Sequence, residues 1–147
     1  MTPFGARLRE LRATRGVTLK ALAAALQVSG AYLSALEHGK RGAPSTGLVH
    51  QVNEFFGLIW DEAEELARLA RISHPRVTLN TAGLTAAQTA LANRLAQGIG
   101  RLPPETVAAM HALLDAMPAA PKTRLPRRPA SADGPAERGA YARLRMR

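Results

Sequence analysis

Four histidines, His38, His50, His74 and His111, are the first residues to weigh for chemistry, because a neutral imidazole binds metals and carries protons near neutral pH. No two of them fall three or four residues apart, the spacing that would bring a pair to one side of a helix, so they offer no metal site. Cysteine is absent, which removes thiolate nucleophiles, thiolate zinc sites, iron–sulfur clusters and disulfides. Carboxylates gather at Asp61, Glu62, Glu64 and Glu65, but they open an apolar-periodic run, where they complement the positive end of a helix. Gly39-Lys40 echoes a phosphate loop, yet Arg41 stands where that loop needs Ser or Thr, and the pair ends a helix where the loop would begin one. No Gly-rich dinucleotide fingerprint and no Ser, His and Asp arrangement is present. The expectation is a non-enzymatic chain with no catalytic residues, no metal site and no cofactor.

Cationic chemistry remains. The chain has 147 residues with 20 Lys+Arg against 11 Asp+Glu, a net charge of +9. The excess sits at the two ends: residues 1–58 carry +4, residues 59–117 carry −1 and residues 118–147 carry +6. A basic module suits a polyanionic partner, and the near-neutral middle suits protein–protein packing. The length fits one compact domain with a tail. Apolar runs are too short to cross a bilayer and the opening Met1-Thr2-Pro3-Phe4 lacks a signal-peptide core, so a soluble, cytoplasmic protein without membrane contact is expected. Aromatics make up 4% of residues and the 46% hydrophobic class is largely Ala and Leu, which favours an all-α fold.

The elements that position these residues follow from spacing. Phe4, Leu8 and Leu11 predict a first helix over 4–14, with Gly16 near its end and Arg7, Arg9, Arg12 and Arg15 around the apolar stripe. Thr18 can cap a second helix, with Val17 stapled onto Leu22. Ser29 can cap a third, with Val28 against Leu33, starting about two residues after the second ends at Leu26. Two short helices joined so tightly must cross steeply, which describes a helix-turn-helix. The third ends at His38-Gly39. Leu48, Val49, Val52, Phe55 and Phe56 mark a fourth helix up to Gly57, and a fifth runs over 61–72. Residues 76–84 are a loop or a short extended arm. Thr85 and Gln88 match a capping box for a sixth helix over 85–97. Pro103-Pro104-Glu105 opens a seventh, where Val107, Met110, Leu114 and Met117 form an apolar seam, read as packing between the last two helices with a coiled-coil partner face as the alternative. From Pro118 onward, five prolines and eight basic residues with few large apolar side chains predict a disordered basic tail. That tail either touches nucleic acid without sequence preference or is a solvated extension.

Over residues 4–58 the chain resembles the Cro and phage-repressor type helix-turn-helix regulators, the XRE family. The residues that carry the resemblance are Leu8, Leu11, Gly16, Thr18, Leu22, Ala23, Leu26, Val28, Ser29, Tyr32, Leu33, Leu36, Glu37, Gly39, Pro44, Phe55, Phe56, Gly57 and Leu58. Low charge and apolar content lead to the expectation of a helical extension over 73–117 that dimerises, followed by the tail over 118–147, while the resemblance implies a five-helix, lambda-repressor-like DNA-binding domain over 1–72. It further implies a homodimeric transcriptional repressor whose third helix, residues 29–37, enters the major groove of a pseudo-palindromic operator in double-stranded DNA. Carried over by position, Gly30, Ala31, Ser34 and Ala35 would face base edges, Ser29 would belong to the same DNA-binding surface, Tyr32 would lie at the groove edge or on phosphate, and Lys20, His38, Lys40 and Arg41 would meet the backbone. Three positions depart from the family pattern. Leu19 stands where a glutamine often contacts phosphate, Gln27 occupies a turn position commonly filled by glycine, and Gly30, Ala31 and Ala35 offer no hydrogen bonds to bases. That small apolar face motivates the alternative reading, a protein-interaction module of anti-activator or antitoxin-like type whose partner is another regulatory protein.

Overall fold

The computed structural model describes residues 1–119, so the disorder expected over 118–147 falls, from residue 120 on, outside the described residues. The described residues form α1 (Pro3–Arg15), α2 (Leu19–Ala25), α3 (Gly30–Glu37), α4 (Thr46–Phe56), α5 (Asp61–Arg71), α6 (Ala86–Gly98) and α7 (Pro104–Asp115), with a 3-10 turn at Ile99–Arg101 and no strand among them. The fold is all-α, as expected. Residues 76–84 are a loop rather than an extended arm. No single helix among the described residues is long and apolar enough to cross a membrane.

Local chemistry sets the helix starts. The hydroxyls of Thr2, Thr18, Ser29 and Ser45 accept from the backbone N–H of Gly5, Ala21, Tyr32 and Leu48 at 3.0 to 3.2 Å, each satisfying a donor that the helix itself leaves unpaired. Thr85 and Gln88 form the reciprocal box, with Gln88 N donating to Thr85 Oγ1 at 3.2 Å and Thr85 N donating to Gln88 Oε1 at 2.9 Å. Gly16 (φ 63°) and Gly57 (φ 66°) end α1 and α4 in the left-handed conformation, where an L side chain is strained. Trp60 also has positive φ (52°) at the start of α5, without a side-chain cap, and its ring is 85% exposed. In α5 the Arg68 guanidinium forks onto Glu65 at 2.7 and 2.8 Å, and that hydrogen bonding holds the Glu65 carboxyl below its ordinary value.

The chain groups into two compact units that divide after Ala92, within α6. In the first, Phe4, Leu8 and Leu11 of α1 share one core with Leu22, Leu26, Leu33, Leu36, Val52, Phe56, Leu58 and Leu66. Each large side chain buried there contributes roughly 1.5–3 kcal/mol. α1 packs on both α3 and α5, and α4 on α5. The α1–α3 contact is unusually close: a Cβ on Gly5 would collide with the Glu37 carbonyl. Thr2 N donates to that carbonyl at 2.9 Å. The buried Ser73 hydroxyl ties α5 to α1, accepting from Phe4 N at 2.8 Å and donating to the Leu69 carbonyl at 2.6 Å.

The second unit corrects one expectation. No residue of α6 or α7 is buried, and in the expected seam Leu114 and Met117 are 61% and 62% exposed. Within this unit Leu95, Leu102, Thr106 and Met110 are half-buried, and two short helices alone do not supply the second layer that buries an apolar stripe.

The close approach at Gly5 yields a test. Gly5→Ala lowers stability by about 2–3 kcal/mol through overpacking. Gly30→Ala, where no atom lies within 4 Å of the added Cβ, leaves it undiminished. Urea unfolding of the two variants beside the parent chain reads the difference.

Candidate nucleic-acid interface

The axes of α2 and α3 turn through 110° across a four-residue connection, within the range of a helix-turn-helix. The turn runs through Gln27 with φ 56°, so the position does need the left-handed conformation and a glutamine supplies it. Val17 and Val28 are half-buried against the core beside Leu19, consistent with the stapled starts. Leu19 at the start of α2 is used for packing, which explains why no polar residue stands there.

α3 divides cleanly into two sides. Leu33, Leu36 and Glu37 point into the core. Ala31, Ser34, Ala35 and His38 recur at helical spacing on the opposite side, with Ala31 and His38 exposed and the other two half-buried. Ser29 is engaged as the cap of α3, and Gly30 follows as its first residue, half-buried. Tyr32 lies off this face, half-buried against the core, so its ring body is a packing element. Lys20 sits exposed on the first turn of α2, and Lys40 and Arg41 are exposed just past the end of α3. The chain there is held by the Ala35 carbonyl, which accepts from Lys40 N at 2.8 Å and Arg41 N at 3.4 Å. Among the described residues none of these three cations is in a salt bridge.

Two arginines missed in the sequence reading brace this surface from α1. Arg12 donates from Nε and Nη2 to Glu37 Oε1, both at 3.2 Å, with side-chain exposures of 15% and 2%. Arg9 Nη2 lies 3.5 Å from His38 Nε2. The His38 ring is fixed at its other nitrogen, 2.8 Å from the Ser34 carbonyl. A carbonyl can only accept, so Nδ1 carries the proton and, in the neutral ring, Nε2 presents a lone pair to Arg9. Gly5, Arg9 and Arg12 share one helical face, but their partners lie 25 to 32 residues away. His50 bonds Glu54 at 3.2 Å on α4, and no group of three or more His, Cys, Asp or Glu able to hold a metal occurs among the described residues.

With that geometry in place, a family model described as a helix-turn-helix domain matches residues 3–66. Residues 3–66 form a helix-turn-helix domain. A curated relative, the uncharacterized HTH-type transcriptional regulator RghRB of Bacillus subtilis (strain 168), is 42% identical over 52 residues, covering 35% of this chain and 37% of that protein. The chain thus spans little more than a third of that relative's length. No solved structure matches the chain.

The strained turn gives a measurable outcome. Gln27→Gly removes the left-handed penalty and raises stability by about 0.5–1 kcal/mol, net of the extra freedom that glycine gives the unfolded chain, as read from the denaturation midpoint.

Proposed function

We propose that this protein is a non-enzymatic, sequence-specific transcriptional regulator of the XRE type, acting in the cytoplasm as a homodimeric repressor that seats α3 in the major groove of a pseudo-palindromic operator. The observation that carries this reading is the outward face of α3, Ala31, Ser34, Ala35 and His38, flanked by the exposed cations Lys20, Lys40 and Arg41. A major groove admits one helix, and lysine and arginine at its margins neutralise phosphates without reading sequence.

The same face predicts how sequence is read. Ser34 is its hydrogen-bonding side chain, both ring nitrogens of His38 being engaged within the protein, and the methyls of Ala31 and Ala35 suit thymine. Few base contacts leave a large share of selectivity to DNA shape and deformability. In this reading residues 1–72 contact DNA and residues 73–117 join two protomers, so that two α3 helices meet half-sites about 34 Å apart. Exposed apolar residues support that assembly, since Leu91, Ile99, Leu113, Leu114 and Met117 stand in solvent. The small uncharged surface of Gly30 and Ala31 favours one competing reading, a module that binds another regulatory protein.

Selection from random duplexes at fixed salt tests the reading. The chain is expected to enrich a two-fold symmetric site, and Lys40→Ala with Arg41→Ala is expected to weaken binding across all sequences while reducing the salt dependence by about two phosphate contacts. Sequence-blind or absent binding overturns the reading and points to the protein-partner alternative. For assembly, light scattering of the full chain is expected to give a dimer that Leu114→Glu converts to a monomer, with at least about a tenfold loss of operator affinity because half-site coupling is lost.

A further inference from the structure

The cationic groups of α1 are not equivalent. Arg7 is neutralised by Glu10 at 2.7 Å and Arg12 by the buried Glu37, whereas Arg9 has a neutral partner, the lone pair of His38. That partner is itself rigid, because its Nδ1–H is spent on the Ser34 carbonyl. Arg9 is therefore oriented without losing its charge. One of its five N–H donors is used and the remaining guanidinium edge is in solvent, exposed beside the outer face of α3.

From this juxtaposition we infer that Arg9 and His38 form a phosphate-gripping pair that extends the nucleic-acid interface from α3 onto α1, an inference that rests on the DNA-binding reading above. The ligand is a backbone phosphodiester. A guanidinium offers two parallel donors that match the two free oxygens of a phosphate, and a fork already oriented by His38 loses less side-chain freedom on binding than a free one. Lys40 and Arg41 follow His38 within three residues, so the phosphate taken by Arg9 belongs to the same stretch of backbone as theirs. Without a carboxylate to displace, Arg9 meets the polyanion at no cost in broken ion pairs. The role of His38 in this pair is positioning.

The test uses the full chain, a random-sequence duplex and affinity measured by fluorescence anisotropy from about 50 to 200 mM salt, where each neutralised phosphate contributes about 0.9 to the slope of log affinity against log salt. Arg9→Ala is expected to reduce the slope by about 0.9 and to leave the unfolding midpoint unchanged. Arg9→Lys keeps the slope, since the charge persists, but binds several-fold more weakly because the fork is gone. His38→Ala also keeps the slope and weakens binding. If Arg9→Ala binds with the parent slope, or only loses stability, Arg9 serves the fold alone and the inference is overturned. Failure of the parent chain to bind any duplex overturns the proposed function itself, an outcome distinct from an unchanged Arg9→Ala slope.

Discussion

Taking the Glu37 carboxylate out of water costs several kcal/mol unless a cation and hydrogen bonds replace its hydration, and Arg12 supplies both. The rest of the N-terminal unit is arranged around that exchange. The same residue's carbonyl receives the Thr2 N–H, and the absence of a side chain on Gly5 lets α1 come close enough for the guanidinium to reach. Because the inner side of α3 is fixed through Glu37, Leu33 and Leu36, its outer side needs no partner from the protein and remains open to a ligand. A charge buried at the end of a helix thus determines how precisely the exposed face is held.

On the DNA-binding function proposed above, affinity and selectivity come from different residues on this surface. Lys20, Lys40, Arg41 and Arg9 supply charge, and the attraction they exert on a duplex is long-ranged and weakened by salt. Ser34 supplies the directional side-chain group, since both ring nitrogens of His38 are engaged within the protein, by the Ser34 carbonyl and by Arg9. Such a surface favours rapid, broadly distributed contact with nucleic acid over exacting recognition by one protomer. Under the proposed dimeric assembly, selectivity would depend on pairing two weak readers at a fixed separation, a role for the exposed apolar side chains of α6 and α7.

Much of this was legible before any coordinates, and the physical reason is distance along the chain. Caps at Thr2, Thr18, Ser29, Ser45 and Thr85 act within three residues, so hydroxyl spacing bears on the helix starts, although Thr2 and Ser45 were not singled out as caps. The turn at Gln27 was legible only through the resemblance, whose pattern commonly has glycine there. Arg12–Glu37 and Arg9–His38 were not readable, since nothing local distinguishes these arginines from Arg7 or Arg15. Tyr32 was placed at the groove, but a tyrosine between two apolar rows can lean either way, and it leans toward the core. The seam through Leu114 and Met117 shows the converse limit. Periodicity shows which side of a helix is apolar, and says nothing of what covers it.

Trp60 is the single tryptophan of the chain, and its indole stands in water rather than in the core. Its intrinsic fluorescence will therefore emit at long wavelength in the native state and change little when the protein unfolds, leaving circular dichroism as the better optical signal for melting. The same indole becomes a label-free indicator of encounter: any molecule that settles over the start of α5 will shift its emission to the blue.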